Sequence, residues 1–158
     1  MTDKKPQTAQ KIERLLFVCT GNTCRSPMAE AMCRAKLPDI EVLSAGVNAT
    51  NGLPASIGAI DAMDARGLNI DHHRSRALSS YLLADADLVL CMSKSHRDII
   101  LSALPEMADK VFTLAEYVGE DAEIADPFGG DSAEYNACAD QIEALLDKLA
   151  AKLTGLSA

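Results

Sequence analysis

Short apolar runs alternate along the chain with longer segments in which apolar residues recur every three or four positions. The short runs are continuous, which is typical of strands buried on both faces of a parallel sheet. They are residues 15–19, 40–44, 88–92 and 111–114. The periodic segments predict helices at residues 27–36, 55–66, about 78–83, 94–104 and 133 to about 153. This order predicts an α/β fold of three layers, doubly wound, with a four-stranded parallel sheet and helices on both faces.

Length and hydropathy set the domain organisation. A chain of 158 residues, 48% of them apolar, is long enough to form one domain around one core. Residues 1–11 are polar and charged, so they predict a disordered N-terminal tail before a single domain at residues 12–158. No apolar stretch has the pattern of a signal peptide or a membrane span.

Charge and cysteine content narrow the partners and the compartment. A formal net charge of −8 argues against binding to nucleic acid or to an anionic membrane, because both require a basic surface. Five cysteines, an odd number without a Cys-x-x-Cys pair, fit neither a disulfide framework nor a zinc site. We therefore expect a cytoplasmic protein with free thiols, for which a monomer is favoured.

One turn carries candidate chemistry, since residues 15–30 read LLFVCTGNTCRSPMAE. The Ser26-Pro27 pair predicts a helix that begins here, with the serine as N-cap and the proline at the first helical position. Backbone amides of the loop and the helix would then converge on one point and bind an anion. Cys19 and Arg25 flank that point.

The residue types in this turn are those that phosphate chemistry needs. Converging amides, a helix dipole and a guanidinium would stabilise a Cys19 thiolate as a nucleophile. Arg25 offers a planar fork that grips two oxygens of a tetrahedral oxyanion. Gly21 permits the backbone geometry of a tight anion-binding loop, and Asn22 tolerates a left-handed conformation and can brace the loop. The alternative is a structural cysteine followed by an ordinary surface arginine.

The stretch VCTGNTCRSPMAE resembles the signature loop of the low-molecular-weight protein tyrosine phosphatases. The resemblance continues in DLVLCMSKSHRDII at residues 87–100 and ADPFGG at 125–130, and covers roughly residues 14–150. It implies that Cys19 attacks phosphorus to form a phosphocysteine, that Arg25 binds the equatorial oxygens, and that Asp126 protonates the leaving group. Such a reaction requires no metal and no cofactor, and its substrates are phosphorylated proteins.

The same resemblance assigns supporting roles. The phosphate-binding loop comprises Thr20, Gly21, Asn22, Thr23, Cys24 and Ser26, and Ser26 helps to hold the thiolate. Ser44 matches a serine that supports the loop through its asparagine, and His73 matches a histidine with a similar supporting position. Cys24 is implied as the redox partner of Cys19 in a reversible disulfide, with a small apolar filler under the loop as the alternative.

The substrate is the least determined feature of the sequence. Thr23 stands where eukaryotic relatives carry an aliphatic residue, and DPFGG replaces a DPYY-type sequence, so Thr23 and Phe128 are candidate selectivity residues. The threonine version resembles the bacterial protein arginine phosphatases, which favours protein phosphoarginine and leaves phosphotyrosine as the alternative. Thr23 could instead only cap a hydrogen bond of the loop. Arsenate reductase, which shares this fold, is disfavoured because Asp98 stands seven positions after Cys91, where a relay cysteine would be needed.

Overall fold

The computed structural model describes residues 11–155. The strands are β1 Arg14–Cys19, β2 Glu41–Gly46, β3 Leu88–Cys91 and β4 Val111–Thr113. The helices are α1 Arg25–Lys36, α2 Ile57–Asp64, α3 Ser80–Asp85, α4 Lys94–Ala103, α5 Leu114–Tyr117 and α6 Ser132–Thr154, with a 3₁₀ helix at Pro105–Met107. The predicted tail, residues 1–11, lies outside the described residues except for Lys11, and the division into tail and single domain stays a prediction.

The four strands form one parallel sheet in the order β2-β1-β3-β4. The chain passes from β1 to β2 on one side and then crosses to β3 on the other side of β1. The predicted doubly wound α/β fold is therefore confirmed. In such sheets the strand order reverses at one point, and ligands bind beyond the carboxyl ends of the strands at that point. Here this crevice lies at the end of β1, where the Cys19 loop begins.

Alternate residues of each strand face opposite layers of helices. Leu15 and Phe17 of β1 pack in a large cluster with apolar residues of α1, α2 and α6. Leu16 and Val18 pack in a second cluster, which includes Leu83 of α3 and residues of α4. Because β1 is buried on both faces, it forms a rigid base for the loop that follows it.

Local capping explains where the structure differs from the predicted boundaries. Helix α2 begins at Ile57, two residues later than predicted, because the Ser56 side chain caps it by accepting from the Ala59 N–H. The strand predicted at residues 111–114 ends at Thr113, which caps the short, unpredicted helix α5 in a reciprocal pair with Glu116. Propensity alone does not reveal a helix of one turn.

The segment at residues 118–131 contains no helix or strand. We call it the acid loop, because it carries Asp126 among other carboxylates. It ends where Asp131 caps α6 by accepting from the Glu134 N–H. Across residues 11–155, no helix is both long enough and apolar enough to cross a membrane.

Candidate active site

The loop between β1 and α1 turns back on itself at Asn22. This residue has a φ of 59°, the left-handed conformation that the sequence analysis expected it to tolerate. The turn brings the Asn22 N–H within 3.3 Å of Cys19 Sγ. The prediction for Gly21 is wrong in one respect, because its φ is not positive and a Cβ there would make only an ordinary contact. The unusual backbone conformation falls on the next residue.

The Asn22 side chain is fully buried and uses all of its hydrogen-bonding groups. Its Nδ2 donates to Ser26 Oγ at 2.8 Å and to Ser44 Oγ at 2.9 Å. Its Oδ1 accepts from the backbone N–H of Arg76 at 2.8 Å. The contact with Ser44 is the one that the family resemblance implies. One amide therefore joins the loop to α1, to β2 and to the segment that follows residue 73.

Two further contacts fix the same residue. The imidazole of His73 donates from Nε2 to the Asn22 carbonyl oxygen at 2.8 Å, so the structure also brings His73 to the loop. Ser44 accepts from Asn22 and donates to Glu30, which forms an ion pair of 2.6 Å with Arg34. A satisfied network of this kind holds its members in one geometry.

The hydrogen bonds of Ser26 determine the direction of its proton. Its Oγ accepts from Asn22 Nδ2 and lies 2.9 Å from Cys19 Sγ, so the hydroxyl proton is free to point at the sulfur. A sulfur that accepts from both a hydroxyl and a backbone N–H is held in the arrangement that suits a thiolate. The prediction that Ser26 is an N-cap is wrong: α1 begins at Arg25, and the serine hydroxyl is already committed to Cys19.

Gly46 at the end of β2 is a residue that the sequence analysis missed. A Cβ at this position would lie 2.5 Å from the Thr20 carbonyl oxygen and 2.9 Å from the Asn22 nitrogen. Only glycine permits so close an approach of β2 to the loop. Its position in the Ser-Ala-Gly sequence at a strand end was the available signal.

Arg25 connects the loop between β1 and α1 to the acid loop. Its guanidinium is buried, donates from Nη1 to the Ile124 carbonyl at 2.9 Å and has Nη2 3.7 Å from Asp126 Oδ2. The Nε atom is buried and has no hydrogen-bond partner within residues 11–155. An oxyanion in the cleft would give this guanidinium the acceptors that a buried cation requires.

Asp126 stands at the mouth of the cleft. Its side chain is 49% exposed, and its Oδ1 accepts from the Phe128 N–H at 3.1 Å in a local turn. Phe128 itself is 74% exposed. The cleft has a volume of about 210 Å³. Its lining residues are Cys19, Thr20, Gly21, Thr23, Cys24, Arg25, Asp126 and Phe128. The structure therefore brings the predicted nucleophile, arginine and acid to one cleft.

Cys24 is a buried residue of the cleft lining. Its Sγ lies 3.3 Å from the Tyr135 hydroxyl and 3.3 Å from the Ser56 hydroxyl. Burial, with the Cys24 hydrogen bond as a second cause, raises the pKa of Tyr135 to about 12. Neither hydroxyl was predicted from the sequence. Cys19 and Cys24 are both free thiols in this structure.

Another residue that the sequence did not reveal, His96 of α4, contacts the residue that follows Cys19. The imidazole is 2% exposed, and its Nε2 lies 2.9 Å from Thr20 Oγ1. Burial and the nearby positive charge of Arg25 lower the pKa of His96 to about 4, against the opposing effect of Asp126 and Glu123. The imidazole is therefore neutral near neutral pH.

The three remaining cysteines do not line the cleft, and their thiols are protonated near neutral pH. Burial raises the pKa of Cys33 and of Cys138 to about 12, and burial also raises the pKa of Cys91. A buried, protonated thiol is a poor relay for electrons, which agrees with the argument against arsenate reduction. In the part of the chain that the structure describes, no three His, Cys, Asp or Glu side chains are grouped to hold a metal ion.

A cysteine sulfur at the centre of an amide loop, beside a buried arginine and an exposed carboxylate, defines the site of a cysteine-based phosphatase. Residues 14–156 match the family described as low molecular weight phosphotyrosine protein phosphatase, and the chain belongs to this family. Its members work through a phosphocysteine intermediate, and this chain is a cysteine-dependent protein phosphatase.

Three relatives show how similar the chain is to known members. It is 49% identical to a protein-arginine-phosphatase of Geobacillus stearothermophilus, over 89% of this chain and 95% of the relative. It is 42% identical to a protein-arginine-phosphatase of Bacillus subtilis, over 88% and 95% of the two chains. A solved low molecular weight protein tyrosine phosphatase from T. tengcongensis superimposes with a TM-score of 0.86 at 46% identity, covering 89% of this chain and 99% of that one.

We predict that replacing Asn22 will uncouple the loop from its supports. Asn22→Ala should lower the free energy of unfolding by about 1–3 kcal/mol, because buried partners lose their hydrogen bonds. It should lower kcat/KM by about a hundredfold, because the nucleophile is no longer held in place. Urea unfolding and steady-state kinetics measure the two effects.

The matched variant Asn22→Gly separates the side chain from the backbone. Glycine adopts the positive φ freely, so this variant should be more stable than Asn22→Ala by about 1–2 kcal/mol. Its kcat/KM should nevertheless be as low as that of Asn22→Ala, since it also lacks the side-chain amide. Wild-type activity in Asn22→Gly would contradict the role given to the side chain.

The lowered pKa of His96 predicts a pH-dependent contribution to stability. The unfolded chain binds a proton at this side chain near pH 6.5, whereas the folded chain resists it down to about pH 4. The contribution of the neutral His96 to the free energy of unfolding is fully present above pH 6.5 and is lost as the pH falls to about 4. The difference in the free energy of unfolding between wild type and His96→Gln should therefore shrink over that window. A difference that stays constant between these pH values would contradict the burial of a neutral imidazole.

Proposed function

We propose that Cys19, Arg25 and Asp126 carry the reaction in the roles that the sequence predicted. The Cys19 thiolate attacks phosphorus, the bond from phosphorus to the leaving atom breaks, and its electron pair goes to the leaving atom. Asp126 donates a proton to that atom from the mouth of the cleft. Arg25 and the loop amides bind the equatorial oxygens as negative charge moves onto them.

The second half of the reaction uses the same groups in reverse. Asp126, now a carboxylate, removes a proton from water, and the water oxygen attacks the phosphorus of the phosphocysteine. The sulfur–phosphorus bond breaks, its electron pair returns to Cys19, and phosphate leaves. The direction of the Ser26 proton supports this step, because a hydroxyl aimed at the sulfur stabilises the departing thiolate.

We propose protein phosphoarginine as the substrate, on the observation that carries it best: the environment of Thr23. Thr23 lines the cleft, and the only hydrogen-bonding contact of its side-chain hydroxyl within residues 11–155 is Cys24 Sγ at a long 3.8 Å. The hydroxyl is therefore not used to cap the loop, which was the alternative explanation for it. A free hydroxyl suits a planar guanidinium with several N–H donors better than a phenol ring. The similarity to two protein-arginine-phosphatases agrees with this substrate.

Phosphotyrosine is the second candidate, and Phe128 is the observation that favours it. An exposed aromatic ring at the mouth of the cleft offers a face on which a phenol ring could stack. The 46% identical solved structure is described as a tyrosine phosphatase, so sequence similarity alone does not separate the two substrates.

The setting of this activity follows from the charge and the thiols. With a net charge of −8, the chain lacks the basic surface that a nucleic-acid substrate needs, which supports phosphorylated proteins as its partners. We propose that the enzyme works in the cytoplasm, where its thiols stay reduced, and as a monomer.

We further propose that Cys24 protects Cys19 from irreversible oxidation. A peroxide oxidises the Cys19 thiolate to a sulfenic acid and is itself reduced to water. The Cys24 sulfur then attacks the sulfenic sulfur, the sulfur–sulfur bond forms, and the oxygen leaves as water with the Cys24 proton. Both cysteines belong to one short loop, and a dithiol restores the pair of thiols.

The catalytic roles predict two different losses. Cys19→Ser should abolish turnover and still bind inorganic phosphate, because Arg25 and the loop amides remain. Asp126→Asn should slow turnover most for substrates whose leaving groups have a high pKa, since these need the proton. Steady-state kinetics on a series of aryl phosphates, with phosphate binding by calorimetry, measure both. A fully active Cys19→Ser enzyme would overturn the mechanism.

The substrate proposal predicts a change of preference at Thr23. Wild type should have the higher kcat/KM on a phosphoarginine peptide than on the matched phosphotyrosine peptide, and Thr23→Ile should reverse that order. The expected change in the ratio is about ten- to a hundredfold, as for one altered contact in a pocket.

Thr23→Val is the matched control, because it removes the hydroxyl with almost no change in volume. If Thr23→Val changes the ratio of the two kcat/KM values as much as Thr23→Ile does, the hydroxyl determines the selectivity. If only Thr23→Ile changes the ratio, the volume of the side chain determines it. A preference for phosphotyrosine in wild type would contradict the phosphoarginine proposal and leave the mechanism intact.

The redox proposal predicts the outcome of peroxide treatment. Wild type should lose activity in hydrogen peroxide and regain it in dithiothreitol, whereas Cys24→Ser should lose activity irreversibly as Cys19 oxidises further. Cys33→Ala, which changes a buried thiol of α1 outside the cleft, should recover as wild type does. Equal recovery of Cys24→Ser would exclude Cys24 as the partner.

A further inference from the structure

The hydrogen bonds of His96 determine which of its nitrogens carries the proton. Nδ1 lies 3.2 Å from the backbone nitrogen of Ser93, and a backbone N–H can only donate. Nδ1 is therefore unprotonated and accepts, so the proton of the neutral imidazole is on Nε2. That proton points at Thr20 Oγ1, 2.9 Å away. The histidine thus donates to the threonine, and the threonine oxygen accepts.

This arrangement leaves the proton of the Thr20 hydroxyl unused. Within the described residues, His96 is the only hydrogen-bond partner of Thr20 Oγ1. Since the buried imidazole occupies the protein side of the oxygen, the hydroxyl proton is directed away from it. Thr20 lines the cleft directly beside Cys19, so the open side is the side of the reacting group.

The backbone of Thr20 is held as firmly as its side chain. Its carbonyl oxygen accepts from the Asn48 N–H at 2.9 Å, and Gly46 lies against the same oxygen. The residue is therefore fixed by the segment after β2 on one side and by α4 on the other. A hydroxyl so placed needs no reorganisation to donate to a bound anion.

We propose that the Thr20 hydroxyl donates a hydrogen bond to the phosphoryl group at Cys19, and that His96 is the positioning residue that aims it. This inference rests on the phosphatase function proposed above. It makes Thr20 a catalytic residue by its side chain as well as by its place in the loop. His96 does not touch the substrate and acts only through Thr20.

The charges around His96 favour the neutral form that this arrangement needs. Arg25 of α1 faces it with a positive charge, while Asp126 and Glu123 of the acid loop face it with negative charges. A doubly protonated imidazole would lose the Ser93 N–H as a donor to Nδ1. Burial and Arg25 prevail over the two carboxylates in lowering the pKa, so the donor pattern holds at neutral pH.

A purely structural role for His96 makes a different prediction, and a double-mutant cycle separates the two. The variants are Thr20→Val, which removes only the hydroxyl, His96→Leu, and the double variant. The measurements are kcat/KM on the peptide that wild type prefers and the inhibition constant of inorganic phosphate. Thr20→Val should weaken phosphate binding and lower kcat/KM by about tenfold or more, as for a lost hydrogen bond to a charged group.

The cycle should be strongly non-additive. His96→Leu should lower kcat/KM in the wild-type background and have little further effect when Thr20 is already valine. Thr20→Ser keeps a hydroxyl, so its kcat/KM should fall less than that of Thr20→Val. His96→Gln keeps an N–H donor at the end of its side chain, so its kcat/KM should fall less than that of His96→Leu.

Two results would overturn the inference: Thr20→Val with the phosphate affinity and kcat/KM of wild type, or His96→Leu with the same loss in both backgrounds. The exposed Thr20 position keeps the first test valid even if His96→Leu fails to fold. A wild-type chain that hydrolyses neither phosphopeptide would instead contradict the proposed function, and so the two failures are distinguishable.

Discussion

The buried amide of Asn22 is the contact on which the rest of the site depends. It fixes a left-handed turn, directs the Ser26 hydroxyl at Cys19, and ties the loop to Ser44 and to the backbone of Arg76. Each of these polar groups is removed from water, so each needs its partner, and all of them are satisfied only in one arrangement. The geometry around Cys19, the proposed nucleophile, is therefore fixed before substrate arrives, which is what electrostatic stabilisation of a transition state requires.

Arg25 connects this arrangement to the part of the cleft that contains Asp126. The guanidinium holds the acid loop through the Ile124 carbonyl and stands 3.7 Å from the Asp126 carboxylate. The same cation thus contacts both the backbone of the acid loop and the carboxylate of Asp126, the proposed acid. In the proposed mechanism, a rigid base formed by β1 and α1 holds the nucleophile, and the more exposed carboxylate above it is an acid that can reach different leaving atoms.

The sequence predicted those features that depend on neighbours along the chain. Continuous apolar runs predicted the strands, which the structure confirms, and the spacing of Cys19 and Arg25 after one of them predicted an anion-binding loop. Contacts between residues far apart in the chain could not be predicted from the sequence. His96 contacts Thr20 across 76 positions of the chain, and Tyr135 contacts Cys24 across 111 positions. The predicted N-cap role of Ser26 is wrong for a related reason, because its hydroxyl bonds to Cys19 instead of capping the helix. The close approach of Gly46 likewise becomes visible only when β2 packs beside the loop.

The most direct test of this account is to trap the phosphocysteine and locate it. Asp126→Asn, mixed with an aryl phosphate that has a good leaving group, forms the intermediate without a general acid but lacks the base that hydrolyses it. Acid quench followed by mass spectrometry of the peptides should find one phosphoryl group on Cys19, and none in the protein that also carries Cys19→Ser. A phosphoryl group on another residue, or phosphate release with no labelled protein at any time, would contradict the central role of the loop.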